Sequence, residues 1–212
     1  MSDTITRYGS GQSVLRIEDD RLLKGQGRFT DDLTDDSSYA QHLNLCFVRS
    51  PYPHARIVSV DTSAALAMPG VAAVVTGAEL VAAGVKELPG TVGFKRADGS
   101  PGATAPRRAL AHPYVRYVGE AVVMVAASTL QQARDAAEAV LVDYEDLPMV
   151  VTLEDALANG APSVCEAAPD NIAAEMRHGN AAQATEAFAR AAHVVTLDLT
   201  NQRVAALTLE PR

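Results

Sequence analysis

The residues able to do chemistry in this chain are few and scattered. Gly25-Gln26-Gly27 comes nearest to a phosphate-cradling turn, in which closely spaced glycines let backbone N–H groups approach a pyrophosphate. It lacks a third glycine, follows no strand pattern and opens no helical one, so a plain turn is expected there; no GxxxxGK[ST] segment occurs. The histidines, His42, His54, His112, His178 and His193, include no pair at i and i+4, and neither Cys46 nor Cys165 belongs to a C-x-x-C motif. The spacing therefore gives no metal site built from this chain alone. Cys46 lies in an alternating stretch and reads as a small packing residue. Cys165, between Val164 and Glu166, reads as a loop thiol with no base beside it to make it a nucleophile.

Three further features invite a functional reading. His54, flanked by Pro53 and Ala55, would bind or catalyse only with partners elsewhere, and a hydrogen bond holding a turn is the expected role. Asp31, Asp32, Asp35 and Asp36 form an acidic run without the glycine and terminal glutamate of a calcium loop, and read as a solvated turn. Glu120, after Gly119, opens the most apolar stretch of the chain. It would sit at the edge of a cleft or at the polar start of a buried strand, the second being favoured. No catalytic, cofactor-binding or metal-ligating residue is assigned.

These side chains must be carried by some frame, and the composition says which kind. The chain has 212 residues, 48% of them hydrophobic and 21% charged, an ordinary globular balance that supports a real core. Eighteen basic against 26 acidic residues give a net charge of −8, a poor match for nucleic acid or anionic lipid. No apolar run approaches the roughly 20 residues that span a bilayer, the N-terminus has no apolar signal region, and two distant cysteines make no disulfide framework. A soluble, cytoplasmic protein is expected.

Periodicity places the elements. Residues 43–48 alternate, with Leu43, Leu45 and Phe47 on one side and Asn44 and Cys46 on the other, as in a half-buried strand. Strands are expected over 56–60 and 71–75, joined by a helix that Asp61 or Thr62 caps and Pro69-Gly70 ends. A short helix over 78–83 precedes residues 84–113, which are rich in glycine and hold four prolines; a long, mobile surface loop is expected. Residues 121–127 suit a strand buried on both faces. Ser128 with Gln131 reads as a capping box for a helix carrying Leu130, Ala133 and Ala137, followed by a strand through Val142 and Tyr144. Thr152 with Asp155 opens a short helix closed at Asn159-Gly160. Asn180 with Gln183 opens another, with Ala184, Ala187, Phe188 and Ala191 on its inner face. Strands are expected over 193–200 and 203–209. The class is α/β (α+β), a mixed sheet with helices packed on it.

Seven segments taken together resemble a known family: residues 25–32 (GQGRFTDD), 49–57 (RSPYPHARI), 61–65 (DTSAA), 68–71 (MPGV), 115–122 (VRYVGEAV), 143–148 (DYEDLP) and 201–212 (NQRVAALTLEPR). In this order they resemble the start of the molybdopterin-binding large subunit of the molybdenum hydroxylases, the group of xanthine dehydrogenases, aldehyde oxidoreductases and carbon monoxide dehydrogenase. Ala121 stands where that pattern usually has proline, and Tyr52-Pro53 replaces a smaller pair. The resemblance implies an N-terminal arm over 1–24, an α/β hammerhead domain over 25–148, and over 149–212 a linker and the start of the molybdopterin-binding domain.

The family's cofactor-contacting stretches and its late catalytic glutamate have no counterpart in this sequence, so no catalytic role is carried onto any residue here. The implied function is a non-catalytic portion or split subunit of an oxidoreductase that hydroxylates an aldehyde, N-heterocycle or similar substrate with water as oxygen source. The implied partners are the remaining molybdopterin-binding chain and the iron–sulfur and FAD subunits. Molybdopterin, iron–sulfur clusters and FAD belong to the complete complex. A stand-alone scaffold derived from the same domain is the alternative, and a small independent enzyme using Glu120, His54 or Cys165 would require those groups to converge in one pocket.

Overall fold

The computed structural model describes residues 16–29, 42–90 and 93–201. The chain falls into two compact units, one of residues 1–42 with 199–212 and the other of 43–198. In the first, α1 (Asp19–Leu23) buries none of its residues, and Gly25, at φ +66°, ends it. Asp31, Asp32, Asp35 and Asp36, and the strand expected over 203–209, lie outside the described residues.

In the second unit the strands divide between two small antiparallel sheets. One has the order β1 (Asn44–Arg49), β5 (Ala121–Ala127), β3 (Val71–Thr76); the other has β4 (Tyr114–Val115), β2 (Ala55–Asp61), β6 (Leu141–Asp146). The mixed α and β class expected from the sequence forms, but each strand–helix–strand run crosses between sheets instead of closing a parallel pair. β2 leads through α2 (Ser63–Leu66) to β3, and β5 leads through α4 (Leu130–Glu138) to β6. The core lies between these elements. Val122, Val123 and Val125 of β5 are fully buried, with Ala55, Val115 and Val74 beside them and Ala136 of α4 above. Central position explains why β5 has the longest apolar run: it is paired on both edges and covered on both faces.

Local chemistry sets the helix starts. Thr129, not Ser128, caps α4: its hydroxyl accepts the Gln132 amide while the Gln132 side chain accepts the Thr129 amide. Ser128 is used instead to hold the Gly70 carbonyl through its backbone amide at 2.9 Å. The same reciprocal box, Thr76 with Glu79, opens α3 (Gly77–Ala82). Asp61 accepts the Ser63 amide ahead of α2, and Thr152 and Asn180 cap α5 (Leu153–Leu157) and α6 (Ala181–Ala189) as expected.

Two expectations are corrected. Residues 193–200 have strand patterning but pair with no strand among the described residues, and Val195, Leu197 and Leu199 are 91%, 75% and 83% exposed. Alternation needs a neighbouring strand to become a ladder, and none of the described residues supplies one. The face of α6 expected to be inner is likewise open, with Phe188 exposed.

Residues 84–113 form no long regular element, yet the described part is tied down. The Lys95 carbonyl accepts the Glu175 amide at 2.9 Å, and the Ala103 amide donates to Ala173 at 2.7 Å.

Candidate functional site

The most chemically loaded surface of the larger unit is an open cleft of about 180 Å³ where Glu120 meets Arg108, His112, Arg116, Glu87 and Glu166. Its frame is the turn between β4 and β5. Gly119 turns the backbone at φ +91°, a conformation that glycine adopts without a Cβ penalty. Ser50, nearly fully buried, brackets that turn from the end of β1: its amide donates to the Glu120 carbonyl at 2.8 Å and its carbonyl accepts the Gly119 amide at 2.8 Å. Arg49 adds a bond from Nη1 to the Gly119 carbonyl at 2.9 Å.

Within this bracket the half-buried Glu120 carboxylate accepts the Arg116 amide at 2.6 Å. Burial pushes the Glu120 carboxyl up from its ordinary range, and the Arg116 amide and guanidinium pull partly the other way. The Arg116 guanidinium lies 5.7 Å from the centre of the Tyr114 ring, and its Nε is buried without a hydrogen-bond partner. Arg108 pairs with Glu87 at 2.8 Å. Glu120 therefore fills both roles considered for it: it borders a cleft and starts the buried strand. Its carboxylate, however, closes a turn.

The other sequence candidates sit elsewhere. His54 bonds through Nδ1 to the Pro148 carbonyl at 2.7 Å, and its own carbonyl accepts the Leu147 amide, so it staples the start of β2 to the end of β6 as a turn-holding group. Cys46 lies within β1 opposite Val125. Cys165 lines a separate, mainly apolar recess with Ala103, Val164 and Ala168. Both are free thiols. Glu120, His54 and Cys165 do not converge, which removes the geometry an independent small enzyme built on them would need. Gly25-Gln26-Gly27 follows the C-terminus of α1, where carbonyls and not amides are presented, the wrong pole for a phosphate. Among the described residues no three His, Cys, Asp or Glu side chains are placed to hold a metal ion.

Neither Arg116 as the partner of Glu120 in this turn nor the Arg108–Glu87 pair is legible in the sequence. A four-residue spacing around a glycine was the available signal for the first.

One more surface carries information. On β1 the side chains of Asn44, Cys46 and Val48 turn toward the covered side, and Leu45 and Phe47 remain 47% and 38% exposed. The register sets Phe47 opposite Met124 and Met124 opposite Val75, so an apolar row runs across all three strands.

The comparisons with known proteins take in this unit and extend beyond it. The family model described as "Aldehyde oxidase and xanthine dehydrogenase, a/b hammerhead domain" matches residues 24–148. The chain belongs to that family. It is 38% identical over its whole length to the nicotine 6-hydroxylase large subunit of Paenarthrobacter nicotinovorans, covering 24% of that protein. To the carbon monoxide dehydrogenase large chain of Afipia carboxidovorans it is 36% identical, over 77% of this chain and 18% of that one. Among solved structures, quinoline 2-oxidoreductase from Pseudomonas putida 86 superposes with a TM-score of 0.56 at 41% identity, covering 69% of this chain and 17% of that chain. Aldehyde oxidoreductase from Desulfovibrio gigas superposes with a TM-score of 0.61 at 31% identity, covering 73% of this chain and 16% of that one. The hammerhead chain thus spans about a quarter of the length, or less, of these relatives. No helix among the described residues is long and apolar enough to cross a membrane.

Proposed function

We propose that this chain is a non-catalytic portion or split subunit of a molybdenum hydroxylase, serving domain packing and subunit assembly. The apolar row of Leu45, Phe47, Met124 and Val75 carries the proposal: at its β1 end Leu45 and Phe47 stay open to solvent beside the partly covered Met124 and Val75. Exposed contiguous apolar surface marks a site of protein contact. The exposed, strand-patterned residues 193–199 add a second such surface.

In this reading residues 25–148 are the hammerhead domain, 1–24 an arm, and 149–212 the lead into the molybdopterin-binding region. By the same reading no residue of the chain is assigned to a molybdenum or iron–sulfur centre, in keeping with the absence of a converging His, Cys, Asp or Glu cluster among the described residues. The molybdopterin, iron–sulfur and FAD groups belong to partner chains or segments in the cytoplasm, where they would supply oxidative hydroxylation with water as the oxygen source.

The test is to purify the chain by itself, measure molybdenum and iron by elemental analysis, and assay oxidation of aldehydes and N-heterocycles. The expected result is metal far below one equivalent and no turnover. Stoichiometric molybdenum in the isolated chain would overturn the proposal.

A further inference from the structure

Two long segments far apart in sequence are joined by one side chain. Arg96 places Nη2 at 2.8 and 2.7 Å from the two carboxylate oxygens of Asp170, and its Nη1 donates to the Ile172 carbonyl at 2.9 Å. Around this clasp the backbones also pair: Glu175 donates to Lys95, and Ala103 to Ala173.

Asp170 has a neighbour that works in the opposite direction. Asn171, held at φ +59°, accepts the Val164 amide at Oδ1 and donates from Nδ2 to the carbonyls of Ala156 and Pro162. One dipeptide therefore grips residues 93–103 with its first side chain and residues 156–164 with its second. Between the segments lies the recess lined by Ala103, Ala105, Val164, Cys165, Ala168 and Ala173. Neither segment contains a long helix or strand with a core of its own, so each depends on the other for its buried surface and for part of its hydrogen bonding.

We propose that residues 93–105 and 156–175 form one cooperative opening unit, locked by Arg96 on Asp170 and by Asn171, so that the two segments order and open together. The unit also reaches the charged cleft. Glu166 belongs to it and lines the cleft that holds Glu120, so opening the unit removes one wall of that cleft.

Amide hydrogen exchange on the complete chain tests this. The probes are the Arg96 and Gly102 amides, bonded within the first segment; the Val164 and Ala168 amides, bonded within the second; and the Ala103 and Glu175 amides, bonded across. Asn171 hydrogen-bonds to no residue of 93–105, yet Asn171→Ala should speed exchange at Arg96 and Gly102 by the same factor as at Ala168, whose amide donates to the Cys165 carbonyl and keeps that partner, about tenfold for lost, partly buried hydrogen bonds. Asp170→Asn should do the same from the other side, accelerating Val164. The Val123 and Val125 amides of β5 should keep their protection in both variants. Acceleration confined to the mutated segment, or to the cross-segment amides alone, would overturn the proposal. Should either variant expose β5 as well, Arg96→Lys, which keeps the charge and loses the geometry, is read by the same amides with the same two outcomes.

Discussion

Gly70 to alanine tests how the β3 turn and the start of α4 depend on each other. Gly70 sits at φ +80°, and a Cβ built there would lie 2.4 Å from the carboxamide of Gln132. Two costs follow. An L-residue in the left-handed region pays about 1–2 kcal/mol. The Gln132 side chain must also swing away and abandon the Thr129 amide it holds at 3.1 Å, which removes half of the capping box and costs about 1 kcal/mol. Reduced freedom of the unfolded chain returns about half a kcal/mol. The net loss is about 2 kcal/mol, measured as a shift in urea midpoint at unchanged slope. The decisive comparison is the same substitution in a Gln132→Ala background, where the collision and the cap are already gone. There Gly70→Ala should cost about 1 kcal/mol, a coupling of about 1 kcal/mol between the sites. Equal cost in the two backgrounds would mean that the side chains at 70 and 132 do not meet.

Other outcomes follow from the same geometry. Burial raises the Glu120 pKa, so the folded chain holds that proton more tightly than the unfolded chain does. Stability should therefore fall as pH rises from the ordinary glutamate value through the raised folded one, and Glu120→Gln should flatten that fall; an unchanged slope in urea titrations across that window contradicts the assignment. Val125→Ala, at a fully buried position in β5, should cost about 2–3 kcal/mol in the same assay, and a loss below about 1 kcal/mol would show the core to be loosely packed there. Leu45→Glu with Phe47→Glu should change stability by about 1 kcal/mol or less while preventing co-purification of partner chains. Retained partners would show that the apolar row is not the contact.

The sequence disclosed elements whose identity is written locally and hid those decided at a distance. Residues 121–127 are recognisable as a strand because a run buried on both faces is apolar without interruption, and the structure places β5 at those bounds. Thr152 and Asn180 are legible caps because the side chain that accepts lies three residues from the amide that donates. Ser128 and Thr129 are both able to cap, and only the Gly70 carbonyl, 58 residues from Ser128, decides between them. Alternation in β1 reveals two faces but not which is covered. The answer depends on α4, whose small Ala133 and Ala136 let it lie close to β1 and β5. At the candidate site, Glu120 was visible through its position beside Gly119, and His54 through the prolyl turn before it. The Arg96–Asp170 clasp joins residues 74 positions apart, with no periodicity to announce it.

The most direct test of the central claim is a gentle affinity purification of this chain from its native host, reading partner masses together with molybdenum, iron and flavin content. The account predicts a larger molybdenum-bearing chain or segment in the eluate, with iron–sulfur and FAD subunits alongside, and loss of all of them when Leu45 and Phe47 are replaced by glutamate. A chain that elutes alone, monodisperse and metal-free would contradict the assembly role and leave a stand-alone scaffold in its place.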